Sequence, residues 1–515
     1  MNRQRGELRT FSVMLCLLAV LTGCASTQNI TSASPVPVTD GRLTVALEFG
    51  PKAGLAIDTD DAFVLTELGV VETLVQADPK GQGVPALATS WQRIDPRTWH
   101  FQLRPGVSFH DGTPLTPDAV VTALRYVSSV AAPPRAIKGV GLQAVSDGPD
   151  AVRISTTNPD PILPLRLSSP NTAILAPSAY RPTGSPTPIR TGTGPFMLTE
   201  VQEAQSATVA RWDRYWGPRA ALATAQARFI PDPMARATAL RAGDVDLAQG
   251  IPDTALPELA SIPQITVVTS PLPRTVTLYT NLTAPPLADP RVRRAIELAI
   301  DRPALATQVL NGSATAASGV FGAAVPWGDT AIPPGADPDA AARLLAQAGY
   351  GPGKPLTLRL WTYPARAELP TLATAVQAML KTAGIEAGIR VAEYNTLQSD
   401  VLAGRYDLFV LSRSSLTDIP DAAGFLSSDY TCAGSFNLNR YCSPAFDTLV
   451  ASLSQTADPT QRQQIFQTAA KQLNQDIAGV PLVHSQARVG MRNVTGFVPD
   501  PQEHSLLTPQ LARTG

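Results

Sequence analysis

At 515 residues the chain exceeds the size at which one hydrophobic core keeps growing, so two or three domains are expected. Hydrophobic residues at 44% and charged residues at 16% supply globular cores, and a formal net charge of -1 removes the electrostatic drive toward a nucleic-acid partner. Proline, with 48 residues, stands near twice its usual ~5%, which favours rigid loops and bounded elements over long helices.

The first element is N-terminal. Arg3, Arg5 and Arg9 precede an apolar run at 11–21 that is too short to span a bilayer comfortably and reads as an export signal. The run ends in Leu21-Thr22-Gly23-Cys24, which resembles the lipobox of bacterial lipoproteins, where the cysteine thiol is diacylated and the chain is cut just before it. The alternative is an ordinary secretory signal with an incidental cysteine. The resemblance implies a signal peptide at 1–23 and a membrane anchor on Cys24, since two acyl chains hold where one is marginal. Residues 24–40, rich in Ser, Thr and Pro, read as a disordered tether. With Cys16 lost and Cys24 lipidated, Cys432 and Cys442 remain in YTCAGSFNLNRYC. Outside the cytoplasm so close a pair reads as a disulfide, and the alternative zinc site lacks a neighbouring histidine.

From residue 41 strands and helices alternate without a repeat, beginning with LTVAL. In WHFQLRPGVSFHDGTPLTPDAV, Trp99, Phe101 and Leu103 alternate with His100, Gln102 and Arg104, the period of a half-buried strand. Pro105-Gly106 reverses the chain; Val107 and Phe109 then take the apolar face and Ser108 and His110 the polar one, before a turn at Asp111-Gly112. His110-Asp111 therefore reads as a strand end rather than half of a catalytic pair. Thr116-Pro117-Asp118 has the order of an N-cap, an N1 proline and an early acid, and Val120, Leu124 and Val127 follow at helical spacing. Strands are expected at AVRIST and NTAIL. Further on, TVTLYTNL is strand-like and DPRVRRAIELAIDRPALATQVL helical, with Asp289 as N-cap and Val292, Ala295, Ile296 and Ala299 on one face. Asp337-Pro338 repeats that start and Gly349 closes it. An extended LTLRLWTY, an amphipathic helix at 369–383 and a strand-like GIRVAEY complete an α/β pattern.

Six segments, TWHFQLRPGVSFHDGTPLTPDAV, GTGPFMLTEV, WDRYWGP, ATALRAGDVDLAQG, NLTAPPLADPRVRRAIELAIDRPAL and AGVPLVH, occur in the order and spacing of the family 5 extracellular solute-binding proteins, the peptide and nickel receptors of ABC importers. The resemblance runs from about residue 41 to about 500. It implies an α/β, two-lobe periplasmic-binding-protein-like fold of class II, the large peptide-binding type, with an extra subdomain in lobe I and two crossover strands. Lobe I would take 41–272, lobe II 273–478, and 479–515 would return to lobe I and form the C-terminal tail. Such a receptor is a monomer that binds in an enclosed cleft, passes its cargo to a permease served by separate ATPase subunits, and uses neither nucleophile nor cofactor. A peptide cargo brings a cationic amine and an anionic carboxylate, each costly to bury alone.

Peptide-binding members supply an aspartate to the peptide amine, and in LFVLSRSSLTDIPDAAGFLSSDYTC the matching position is Asp418. No tryptophan precedes it and Ala422 stands where proline is common, so a loop or helix-cap role stands beside the amine-binding one. Arg413 could meet a ligand carboxylate, or be a solvated strand-end arginine. Trp361, Tyr363, Tyr279 and Asn281 fall near strand ends that would face the cleft or pack in the core. Phe49 and Asn171 lie in lobe I segments that border ligand in the family. The nickel branch is the alternative within the class, because LGVVETLV at 68–75 resembles it. His100, His110, His484 and His504 are not clustered, which argues against direct metal ligation and leaves capture of an anionic chelate through Arg413. From another class the alternative is an exported hydrolase of cell-wall peptides. GYGPGKPL has Ala348 and Pro355 where a P-loop needs glycine and Ser or Thr, GTGPF lacks the third glycine of a dinucleotide loop, and no G-x-S-x-G elbow appears.

Overall fold

The computed structural model describes residues 37–514 except 39, 182–183, 203–204, 365, 367 and 417. The expected signal at 1–23, the lipidated Cys24 and nearly all of the tether lie outside the described residues. No described helix is long and apolar enough to cross a membrane.

Two α/β lobes share one eleven-stranded sheet, whose middle is formed by the long strands Ile265–Thr280 and Gly479–Arg492. These two strands pair antiparallel along most of their length and connect the lobes. On the lobe I side, Leu247–Gln249 pairs with residues 489–491, and Gly41–Leu47 continues the sheet in parallel. On the lobe II side, Leu408–Ser414 pairs with residues 274–280, and Leu356–Thr362 with Ile385–Val391 lies beyond it. The first half of the second crossover, which pairs with residues 275–279 and with Ala314–Ala316, still belongs to the lobe II side of the sheet. Between Pro271 and Thr275 the register breaks, three residues facing one. Proline has no N–H to give to a ladder, so Pro271 and Pro273 place the bulge here.

Each lobe has its own core. Leu43, Val45, Leu47, Phe196, Leu198 and Val209 pack in lobe I. Val276, Leu278, Ile296, Leu360, Val376 and Ile385 pack in lobe II, beside a helical cluster that includes Phe321, Phe425 and Phe466. The extra subdomain of lobe I is a four-stranded antiparallel sheet covered by the helix Pro117–Ser129. Thr116 caps that helix by accepting from the Ala119 N–H, and Val120, Leu124 and Val127 are buried, each contributing roughly 1.5–3 kcal/mol. Asp289 and Asp337 cap Pro290–Ala299 and Pro338–Gln347 as their order with proline predicts.

Three expectations change. DPRVRRAIELAIDRPALATQVL is not one helix: it stops at Ala299 and restarts at Arg302, where Asp301 caps and Pro303 has no N–H to continue the ladder. NTAIL is a 3-10 turn at Pro170–Thr172 followed by extended chain, because Ile174 and Ala176 donate to Glu72 and Thr191 carbonyls outside any ladder. Residues 107–110 make only a single bridge, Ser108 to Pro114, and His110 leaves the polar face. It is buried, its Nε2 2.9 Å from the Gly194 carbonyl and its ring edge-on to Trp212. Burial lowers it to about 4, so it is a neutral structural residue of the GTGPF loop. That loop lies so close to its neighbour that a Cβ on Gly192 would sit 2.1 Å from the Val70 carbonyl oxygen. The WDRYWGP motif is explained in the same way: Tyr215 and Trp216 both donate at 2.9 Å to buried Glu72.

Candidate functional site

Charged side chains from both lobes gather where the crossovers pass between them. Strand Gly41–Leu47 delivers Glu48, helix Asp61–Glu67 ends on Glu67, and the turn at 500–505 presents Glu503, all from lobe I. Opposite them, Arg274 rises from the first crossover and Arg366 follows strand Leu356–Thr362. Among the described residues neither arginine forms an ion pair. Enclosure by protein and the neighbouring Arg366 pull Arg274 below the usual guanidinium range, against the attraction of Glu503. Enclosure pushes Glu503 up, with Arg274 opposing and Glu48 adding to the rise. Glu503 nevertheless remains solvent-exposed. Glu67 is pushed up to about 8 by enclosure and then by Glu503, so it holds its proton near neutral pH. Two guanidiniums thus lie within electrostatic reach of Glu503, near Glu48 and a protonated Glu67, in a region of reduced solvation, where charge on a guest would be strongly felt.

The residues anticipated from sequence fall into separate neighbourhoods. Asp418 has φ 68 and a side chain 5% exposed, and both of its oxygens are taken by Arg135, from Nε at 2.8 Å and Nη2 at 2.9 Å. The Asp418 carboxylate is thus paired with a guanidinium of lobe I, which also reaches Asp60 at 3.3 Å. Arg413 is likewise committed, to Asp429 at 2.7 and 2.8 Å, with its guanidinium 4.2 Å above the Phe436 ring. Tyr279 is fully buried within electrostatic reach of that pair. Tyr363 stacks edge-on with Tyr394 at 5.4 Å and lies near Arg366 and Arg274, which joins it to the charged cleft. Trp361 is buried in the lobe II core with Arg390 over its ring. Asn281 gives its amide to the Gly404 and Tyr406 carbonyls and Asn171 to those of Ile57 and Thr59, so both are spent on backbone. Phe49, 62% exposed, is free to meet a guest beside Glu48. Cys432 and Cys442 are disulfide-bonded.

A second inter-lobe space, a cavity of about 600 Å³, lies between residues 138–166 of the extra subdomain and 423–462 of lobe II. Arg166 and Arg462 on its walls are already paired, with Asp160 and Asp421. The charged crossover region is the better candidate for recognition, because its arginines are not. No described group of three His, Cys, Asp or Glu could hold a metal ion. Among the described residues no histidine bridges a serine hydroxyl and a carboxylate: His100 meets Asp147, His484 meets Thr275, and His504 stacks on Phe63.

Arg135, Arg274, Arg366, Glu48, Glu67 and Glu503 were not anticipated from sequence. The acid in Asp500-Pro501-Gln502-Glu503-His504 looks like an ordinary loop acid until the chain folds back over the crossovers.

A family model described as bacterial extracellular solute-binding proteins, family 5 middle, matches residues 82–437. The chain is 28% identical over 507 residues to a probable di/tripeptide-binding protein 5 of Pseudomonas aeruginosa, covering 90% of this chain and 94% of that one. It is 26% identical over 518 residues to the nickel-binding periplasmic protein of Escherichia coli, covering 95% of each. The fold matches NikA from Brucella suis in complex with Fe(III)-EDTA with a TM-score of 0.82 at 26% identity, over 92% of this chain and 100% of that one.

Proposed function

The chain belongs to the bacterial extracellular solute-binding proteins of family 5, and from that premise we propose that it captures a di- or oligopeptide between its lobes and hands it unaltered to an ABC import permease. We infer further that it does so as a monomer held by lipid on Cys24 at the outer face of the bacterial cell membrane, and that it is not an enzyme. The observation that carries the peptide reading is the presence of both signs of charge, with both arginines outside any ion pair among the described residues, where the crossovers join the lobes. Arg274 and Arg366 suit a carboxylate and Glu503, beside a Glu48 that lies 3.9 Å from Arg236, suits an ammonium, so both ends of a zwitterion find a counter-charge.

Incubation with a library of di- to pentapeptides tests this. A binder returns peptides intact and gains thermal stability as RT ln(1 + [L]/Kd), about 2.7 kcal/mol at a hundredfold excess over Kd. Shortened peptides would assign the exported cell-wall hydrolase instead. The unpaired arginines also favour a second reading, an anionic nickel chelate. Stabilisation by a preformed nickel–amino acid chelate, with none by any peptide, would move the assignment there.

A further inference from the structure

The crossover region leaves the cavity of about 600 Å³ between the extra subdomain and lobe II without a role. Its volume falls in the range of small-molecule sites, about 300–1,000 Å³. Five charged residues line it, and they divide into two kinds. Arg166 pairs with Asp160, and Arg462 with Asp421 behind the wall. Lys138 and Asp447 form no ion pair among the described residues. Lys138 is exposed on the lobe I wall, its ammonium carried on a flexible four-carbon stem. Asp447 stands in the first turn of the helix Pro444–Ala451 on the lobe II wall, and its oxygens accept only from the Cys432 N–H, at 3.1 and 3.3 Å. Most of the acceptor capacity of that carboxylate is therefore unused.

The hydroxyls of the lobe II wall favour the same kind of guest group as Asp447. Ser427, Thr431 and Ser454 give their protons to the helix carbonyls of Gly424, Ser427 and Ala451, which leaves each hydroxyl oxygen as an acceptor. Between the polar groups lie buried apolar side chains, Ile162 from lobe I and Val450 and Leu453 from lobe II. A guest with only a negative charge would meet Asp447 unpaired, and one with only a positive charge would meet Lys138 in the same way. A guest with both charges and an apolar body satisfies every part of the lining: carboxylate to Lys138, ammonium to Asp447 and the hydroxyl oxygens, body against Ile162, Val450 and Leu453. We propose that this cavity is a second binding site, separate from the crossover region, for a small apolar zwitterion with the chemistry of free leucine or of dileucine. Its two counter-charges belong to different lobes, so the loss of either one weakens the hold. The site stands whichever cargo the crossover region takes.

Equilibrium dialysis of the full chain against radiolabelled leucine and, separately, dileucine tests this. The expected result is a saturable component of binding whose affinity falls at least about tenfold in Lys138→Met and in Asp447→Asn, while Arg274→Met at the crossovers leaves it within about threefold. Ala451→Trp, at an exposed position of the wall, is expected to abolish the same component by filling the space with both charges intact, which covers the case of a charge variant that fails to fold. N-acetylleucine and leucinamide, each lacking one of the two charges, are expected to displace the component at least about tenfold less well than leucine. The probe that shows this pattern names the guest as a free amino acid or a dipeptide. If neither probe binds, or if all bound probe is lost with Arg274→Met or is indifferent to Lys138, Asp447 and Ala451, the proposal is overturned, and the reading of the crossover region is untouched.

Discussion

Asp421 and Asp418 stand three residues apart in one loop, both buried and both gripped by an arginine fork, yet their removal should have very different costs. Arg462 is 4% exposed and Asp421 3%, with Nε and Nη2 at 2.8 and 2.9 Å from the carboxylate and Nη1 on the Leu453 and Thr456 carbonyls. Asp421→Asn keeps the shape and keeps an oxygen for the Ala423 N–H, 2.9 Å away. It leaves a guanidinium charge in the interior facing an amide, a situation that costs about 3–5 kcal/mol. For a unit the size of one lobe that is a fall of about 6–20 °C in melting temperature. The partner of Asp418 is 58% exposed, so after Asp418→Asn the Arg135 guanidinium turns to water and the loss is about 0–1 kcal/mol. Scanning calorimetry of the two variants beside the parent chain measures both. Equal losses, or less than about 1 kcal/mol for Asp421→Asn, would refute the claim that burial of the cation decides the cost.

Reduction of the Cys432–Cys442 bridge, or Cys→Ser at both positions, is expected to lower stability by about 2–3 kcal/mol through the short loop it frees in the unfolded chain, read as a shift in urea midpoint. Burial raises Glu72 to about 7, against the hydrogen bonds from Trp216 and Tyr215. A carboxyl raised in the folded state contributes most below its unfolded pKa and loses that contribution as pH climbs through 7, so the stability of the parent chain relative to Glu72→Gln should fall by about 3 kcal/mol between pH 4.5 and 7. A flat difference across that window contradicts the assignment. Gly192→Ala should cost about 1–3 kcal/mol or more, since its Cβ meets backbone that cannot rotate away, and a melting temperature equal to that of the parent chain would show that the loop yields.

Local chemistry carried most of the fold. Thr116, Asp289 and Asp337 announce their helices because a cap acts on the next three residues, and alternation in Trp99, Phe101 and Leu103 marks a strand because its faces are two residues apart. Where partners are distant in sequence the local pattern does not report them. His110 looked like a polar strand end because Gly194, which buries it, is 84 residues away. Asp418 reads from sequence as either a loop cap or an amine-binding group, because Arg135 is 283 residues upstream and nothing local reports that the two meet. Arg413 and Asn281 carry groups that suit a ligand or the protein's own interior, and the structure engages them with Asp429 and the Gly404 carbonyl. The carboxylates at the crossovers were missed because their shared position is a property of the assembled lobes.

The prolines at 271 and 273 also decide what kind of joint connects the jaws. Neither residue has an N–H to donate across the ribbon, so a bend there disturbs fewer cross-strand bonds than it would elsewhere in the strand, and the Pro273 carbonyl, which accepts from Ser415, travels with lobe II. The balance between ajar and shut then depends on the surfaces that come together as well as on this joint. A clamp of this kind is tuned at its faces, by which side chains touch, while the pivot stays the same.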